Sequence, residues 1–192
     1  MWSASFLRAN SCACAQPNNY TNFYPQPKRV DSNITKQRLT DARYLRMAFI
    51  WAENSYCKRR KVGALLVKDN AIISDGYNGT PSGFPNICER SDNVTFPYVL
   101  HAEANAITKV ARSSNSSDGS TLYVTTSPCM ECSKLIIQSG IRRVVFSEKY
   151  RITDGLDLLG QAGIEVVHFP IQEAIEVSRE EIADAYDSVK GN

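Results

Sequence analysis

From residue 101 onward the chain alternates short apolar runs with helix-patterned stretches, and this constrains the fold more than any other feature. A helix is predicted from near His101 to Arg112, and strands at Thr121–Thr125, Arg143–Phe146 and Glu165–His168. Helices are predicted between them at about Cys129–Ser139 and Gly155–Ala162. Each strand is too short and too apolar to face water, so the pattern calls for a sheet covered by helices on both faces. Upstream, Leu45, Ala48, Phe49 and Ala52 recur at helical spacing behind Thr40, a candidate N-cap. Val62–Val67 and Ala71–Ser74 flank Lys68-Asp69-Asn70 and read as a hairpin. Gly76 to Gly83 and most of the stretch from there to Pro97 read as loop. A last helix is predicted at about Ser178–Val189, with Glu180 and Glu181 in its first turn, where the helix dipole favours them.

A chain of 192 residues suits one domain with a sizeable core. Residues 35–192 are expected to form it. Residues 1–34 hold Pro17, Pro25 and Pro27 among many Asn and Ser and show no hydrophobic period. They read as a disordered tail or an upstream start assigned in error; the composition also matches a transit peptide. No apolar run is long enough to cross a bilayer, so no membrane partner is expected. The net charge of +2 is too small to imply nucleic acid, yet a small anionic ligand needs only a few local cations. Without an export signal, the six cysteines are expected in a reducing, cytoplasmic setting, where cysteines bind metal or pack.

Two motifs carry chemistry: His101-Ala-Glu103 and Pro128-Cys129-Met-Glu-Cys132. One imidazole and two thiolates supply three ligands to a tetrahedral zinc and leave a fourth position for water, the pattern of a catalytic site. Both groups fall where helices should begin, and the partial positive charge there favours thiolates. Glu103 can face that water without binding the metal and act as general base, then general acid. A Cys-x-x-C alone also fits a redox pair or half of a structural zinc site. A structural site needs a second Cys or His pair, and the only other histidine, His168, lies on a late strand. The combination H-x-E…P-C-x-x-C is the known signature of zinc deaminases.

The segments PYVLHAEANAI at Pro97–Ile107, GYNGTPSG at Gly76–Gly83 and TLYVTTSPCMECSKLIIQSGIRRVV at Thr121–Val145 resemble the deoxycytidylate deaminase family, over about Asp41 to Phe169. The resemblance implies a three-layer α/β/α cytidine deaminase-like fold with a mixed five-stranded sheet. It implies conversion of dCMP to dUMP for thymidylate synthesis, and a homo-oligomer, hexamer or dimer. For many members it implies activation by dCTP and inhibition by dTTP, with Mg2+ on the triphosphate. By match of motif, His101, Cys129 and Cys132 correspond to the zinc ligands and Glu103 to the proton shuttle. The run from Val99 through Ala102 to Ile107 corresponds to the substrate-lining segment. Asn78, Asn105 and Tyr150 correspond to polar pocket residues, and Gly76, Tyr77 and Gly79 to an effector loop.

A monophosphate needs cations, and Arg59 and Arg151 are the candidates, although a run such as Lys58–Lys61 usually forms a solvated face. Some phage members hold a second zinc near the places of Cys57 and Cys88. With no further histidine in the intervening loop, these two read as packed cysteines. The rival readings are a deaminase of dCTP or cytidine, and a DNA-uptake operon protein of the same fold with a binding or regulatory role. Glu103 speaks against a purely binding role.

Overall fold

The structure, a computed structural model, describes residues 36–190, with side chains through residue 183. The expected tail lies outside the described residues. Five strands run β1 (Gly63–Lys68), β2 (Ala71–Tyr77), β3 (Thr121–Thr126), β4 (Arg143–Glu148) and β5 (Glu165–His168). They form one mixed sheet in the order β2-β1-β3-β4-β5. The hairpin β1–β2 and the pair β1–β3 are antiparallel, while β3–β4 and β4–β5 are parallel. The hairpin closes at Asp69 and Asn70, with φ of 51° and 61°, the left-handed geometry a two-residue primed turn requires.

Alternate residues of each strand serve opposite faces. Leu66, Leu122, Val124, Val144 and Phe146 pack under α2 (Ala102–Val110), α3 (Met130–Gln138) and α4 (Asp154–Gln161). Leu65, Val67, Tyr123 and Val145 pack under α1 (Lys36–Ala52) and α5 (Ile171–Lys190). Burial on both faces is why these strands read as continuous apolar runs. The result is the expected α/β/α sandwich.

Three expectations are corrected. Helix α1 is already formed at Lys36, and Thr40 is no cap: its hydroxyl donates to the Lys36 carbonyl at 3.0 Å from inside the helix. Helix α5 starts at Ile171, seven residues before the expected Ser178, because Pro170 opens the first turn and accepts from the Ala174 amide. Ala174 and Val177 then pack on the core shared with α1. Finally, Gly76 and Tyr77 belong to β2, not to a loop: Gly76 pairs with Ala64 and Tyr77 with Gly63. A Cβ on Gly76 would lie 2.1 Å from the Ala102 carbonyl oxygen, so only glycine lets α2 settle this close to the sheet.

Candidate active site

His101 and Cys129 occupy equivalent places. Each is the extended residue immediately before a helix, His101 before α2 (φ −74°, ψ 157°) and Cys129 before α3 (φ −77°, ψ 172°). Ser, Thr, Asp and Asn at such positions usually turn back to cap the helix. Here neither side chain caps, and both are free to face each other. His101 Nδ1 lies 3.4 Å from Cys129 Sγ and 3.4 Å from Cys132 Sγ. The three donor atoms all fall within 4.8 Å of one another. A tetrahedral zinc with ordinary Zn–S and Zn–N bonds spaces its sulfur and nitrogen ligands by about 3.6 Å, so the trio fits that ion in chemistry and in span. Among the described residues it is the one group of this kind.

The packing that holds the trio is equally specific. Gly155, in the first turn of α4, sits under the cysteine loop; a Cβ there would lie 2.5 Å from the Pro128 carbonyl oxygen and 2.8 Å from the Cys129 carbonyl carbon. The bridge of Gly79 with Leu100, closed by amide–carbonyl bonds of 3.1 and 2.9 Å, fixes the segment leading into His101.

Electrostatics separate the three ligands. Hydrogen bonds from Cys132 and His101 hold the Cys129 thiol down at about 3, against the cost of burial. The hydrogen bond to Cys129, together with burial, pushes Cys132 up. The bond to Cys129 raises His101, while its burial opposes this. Glu103, in the first turn of α2, is 4% exposed. Burial pushes its carboxyl above the ordinary range, with its own backbone amide and His101 pulling the other way. A raised proton affinity suits a carboxyl that must take up and release a proton.

His101, Cys129 and Glu103 face a cavity of about 390 Å³. Its inner wall includes Ala102, Glu103, Thr126 and Ser127, and its outer wall includes Arg59, Arg60, Tyr150 and Arg151. Of the predicted pocket residues, Val99, Ala102, Asn78, Tyr150, Arg59 and Arg151 come together here. Asn78 spends its amide on the protein itself, accepting from the Val62 amide at 2.8 Å and donating to the Arg60 carbonyl at 2.9 Å. Asn105 stands behind the wall, donating to the Tyr77 carbonyl at 2.8 Å.

Arg60 went unseen in the sequence because the run Lys58–Lys61 has the composition of a solvated surface. Instead its guanidinium reaches the Thr126 hydroxyl at 3.4 Å and Glu148 at 3.7 Å, and lies 5.9 Å from the Tyr150 ring centre. Ser127 was missed as well; its hydroxyl accepts from the Tyr150 amide at 2.7 Å and anchors the loop carrying Tyr150 and Arg151. Its place directly before Pro128 was the available signal.

Residues 38–148 match the family model of the cytidine and deoxycytidylate deaminase zinc-binding region, more than half of the chain. The chain belongs to the cytidine and deoxycytidylate deaminase family. Within this family it is 34% identical to the deoxycytidylate deaminase of Enterobacteria phage T4, the match covering 72% of this chain and 94% of the phage protein. It is 39% identical to the deoxycytidylate deaminase of Mycobacterium phage D29, over 57% of this chain and 94% of that one. Among solved structures, the dCMP deaminase of cyanophage S-TIM5 in complex with dCMP and dUMP superposes with a TM-score of 0.68 at 48% identity, covering 71% of this chain and 99% of that one. In this chain the region that matches the family model therefore contains the His101, Cys129 and Cys132 trio.

Cys57 and Cys88 are buried, as ordinary packed cysteines are. Burial and a hydrogen bond with Cys57 push the Cys88 thiol up to about 12.

Proposed function

We propose that this protein hydrolyses dCMP to dUMP and ammonia. The observation that carries the reading is Glu103, a buried carboxyl next to a His/Cys/Cys trio at the inner end of a cavity whose outer wall holds Arg59, Arg60 and Arg151. The likeness to the cyanophage enzyme that binds dCMP and dUMP supports it.

His101, Cys129 and Cys132 would hold the zinc, which when bound supplies Lewis acidity that lowers the pKa of water. The chain's own residues do the rest. Val99 and Ala102 shape the wall against which the pyrimidine lies. Glu103 takes a proton from the attacking water, which adds at C4 of the ring, and gives it to ring N3; it then takes the second proton from the new C4 hydroxyl, which becomes the carbonyl, and gives it to the departing amine. The exocyclic C–N bond then breaks and ammonia leaves, so that one water is consumed per amine released. Burial suits Glu103 to this task by raising its proton affinity. Arg59, Arg60 and Arg151 offer the guanidinium groups that a phosphate monoester requires. Tyr150, held by Ser127, borders the ribose, and Asn78 and Asn105 keep the β1 and β2 ends of the wall in register.

The family resemblance extends the reading. It supports a cytoplasmic homo-oligomer, hexamer or dimer, that supplies dUMP for thymidylate synthesis. It also supports activation by dCTP and inhibition by dTTP with Mg2+ on the triphosphate, acting through the segment at Gly79 that follows Gly76 and Tyr77 at the end of β2. Residues 1–34 then add nothing to catalysis.

The direct test is zinc-loaded protein with dCMP, followed by loss of cytosine absorbance, with cytidine and dCTP in parallel. Turnover of cytidine in preference to dCMP would overturn the assignment.

A further inference from the structure

Besides Glu103, the acid in the cavity wall is Glu89. Its carboxylate is fixed by backbone: Oε1 accepts from the Lys58 amide at 3.0 Å and the Arg59 amide at 3.2 Å, and Oε2 from the Lys58 amide at 3.2 Å. Neutral amides orient a carboxylate without cancelling its charge. The neighbouring backbone is pinned too. Glu89 bridges to Thr95, whose hydroxyl accepts from Arg59 Nη1 at 3.2 Å, and Cys88 beside it is buried. A fixed negative charge therefore stands against the arginine side of the cavity, where Arg59 and Arg60 also lie.

Resting on the dCMP reading, a base placed at Glu103 sends its 5′ phosphate toward the arginines. One phosphate would meet Arg59, Arg60 and Arg151, and a longer chain would extend along the wall that Glu89 also lines. We propose that Glu89 is a specificity-determining residue that sets phosphate-chain length, admitting a nucleoside monophosphate and disfavouring the di- and triphosphate. The triphosphate carries roughly two more negative charges than the monophosphate. Repulsion across a partly solvated cleft of this size is worth about a tenfold discrimination.

The test uses the zinc-loaded full chain with dCMP and dCTP in the same tube, so that both compete under one effector state, and reads dUMP and dUTP by chromatography. Glu89→Gln keeps an acceptor for the two amides and removes the charge. It should raise the dUTP-to-dUMP ratio about tenfold, and the gap between variant and wild type should shrink as salt rises from about 0.05 to 0.5 M. If Glu89 is only a backbone clamp, Glu89→Gln keeps the wild-type ratio at every salt concentration and only Glu89→Ala changes it; that result overturns the inference. Wild-type protein that forms dUMP while the ratio stays fixed overturns the role of Glu89 alone. Wild-type protein that forms no dUMP from dCMP overturns the functional reading, and the role of Glu89 with it.

Discussion

Gly76 on β2 supports the Ala102 carbonyl of α2 so closely that a methyl group there would lie 2.1 Å from the oxygen and 2.7 Å from the Ala106 amide. Both contacts are with backbone, which cannot swing aside as a side-chain tip can. Ala102 lies between His101 and Glu103, so this contact sets the depth of the helix turn that carries both. Gly76→Ala is expected to cost about 3 kcal/mol of stability, as overpacking does, and to lower turnover. Gly79→Ala is the control: the nearest atoms to its new methyl would be the Tyr77 ring at 3.9 Å, and the cost should stay below about 0.5 kcal/mol. Chemical denaturation of the two variants checks the contrast; equal stabilities would show that α2 is not seated by this glycine.

Glu103→Gln keeps the size of the side chain and cannot shuttle protons. Turnover is expected to fall by about a hundredfold to ten-thousandfold, with zinc content and dUMP affinity retained. Retention of more than about a tenth of wild-type turnover would contradict the role given to Glu103.

The ligand trio predicts one zinc per chain, lost in Cys129→Ala and in Cys132→Ala. Gly155→Ala should loosen the metal without touching a ligand, because its methyl would press on Pro128 and Cys129. Weakening of roughly tenfold to a hundredfold, the range typical of groups that support metal ligands, is expected in a chelator competition assay. Elemental analysis giving two zincs per wild-type chain would instead implicate Cys57 and Cys88.

On the other face of the sheet, Asp41 of α1 receives both Arg143 guanidinium nitrogens at 2.8 Å and the Tyr123 hydroxyl at 2.8 Å. Asp41 is 4% exposed. Asp41→Ala leaves Arg143 with Glu165 as its remaining ion-pair partner, at 2.9 Å, and strands the buried Tyr123 hydroxyl; it should cost about 3 kcal/mol. Burial, then the bond to Asp41, push the Tyr123 hydroxyl above its ordinary value of about 10. Folding therefore favours the neutral phenol. That contribution is intact below pH about 10 and is lost as pH rises toward the higher folded value. Tyr123→Phe should flatten this alkaline loss of stability in melting curves taken from pH 8 to about 11. An unchanged alkaline limb would mean that Tyr123 does not carry it.

The His/Cys/Cys trio, the buried glutamate beside it and the layered fold were legible in the residues alone, because each is encoded locally. An apolar run flanked by turns is a strand wherever it packs, and the spacing of His101, Glu103, Cys129 and Cys132 places them at the starts of two helices. What the tertiary structure decided are the outcomes of long-range competition. Thr40 could have capped a helix, but the helix extends upstream to Lys36. Gly76 looked like a turn residue and is a seat for α2, a distinction that depends on a helix about 30 residues away in the chain. Asp41 sits on the apolar stripe with Leu45 and Ala48, a visible oddity whose meaning needs Tyr123 from β3 and Arg143 from β4. Arg60 and Glu89 have the composition of solvated surface, and only the folding of residues 57–62 against residues 88–95 turns both toward the cavity. Local sequence sets which groups can do chemistry; which charges stand beside them depends on contacts between segments far apart in the chain.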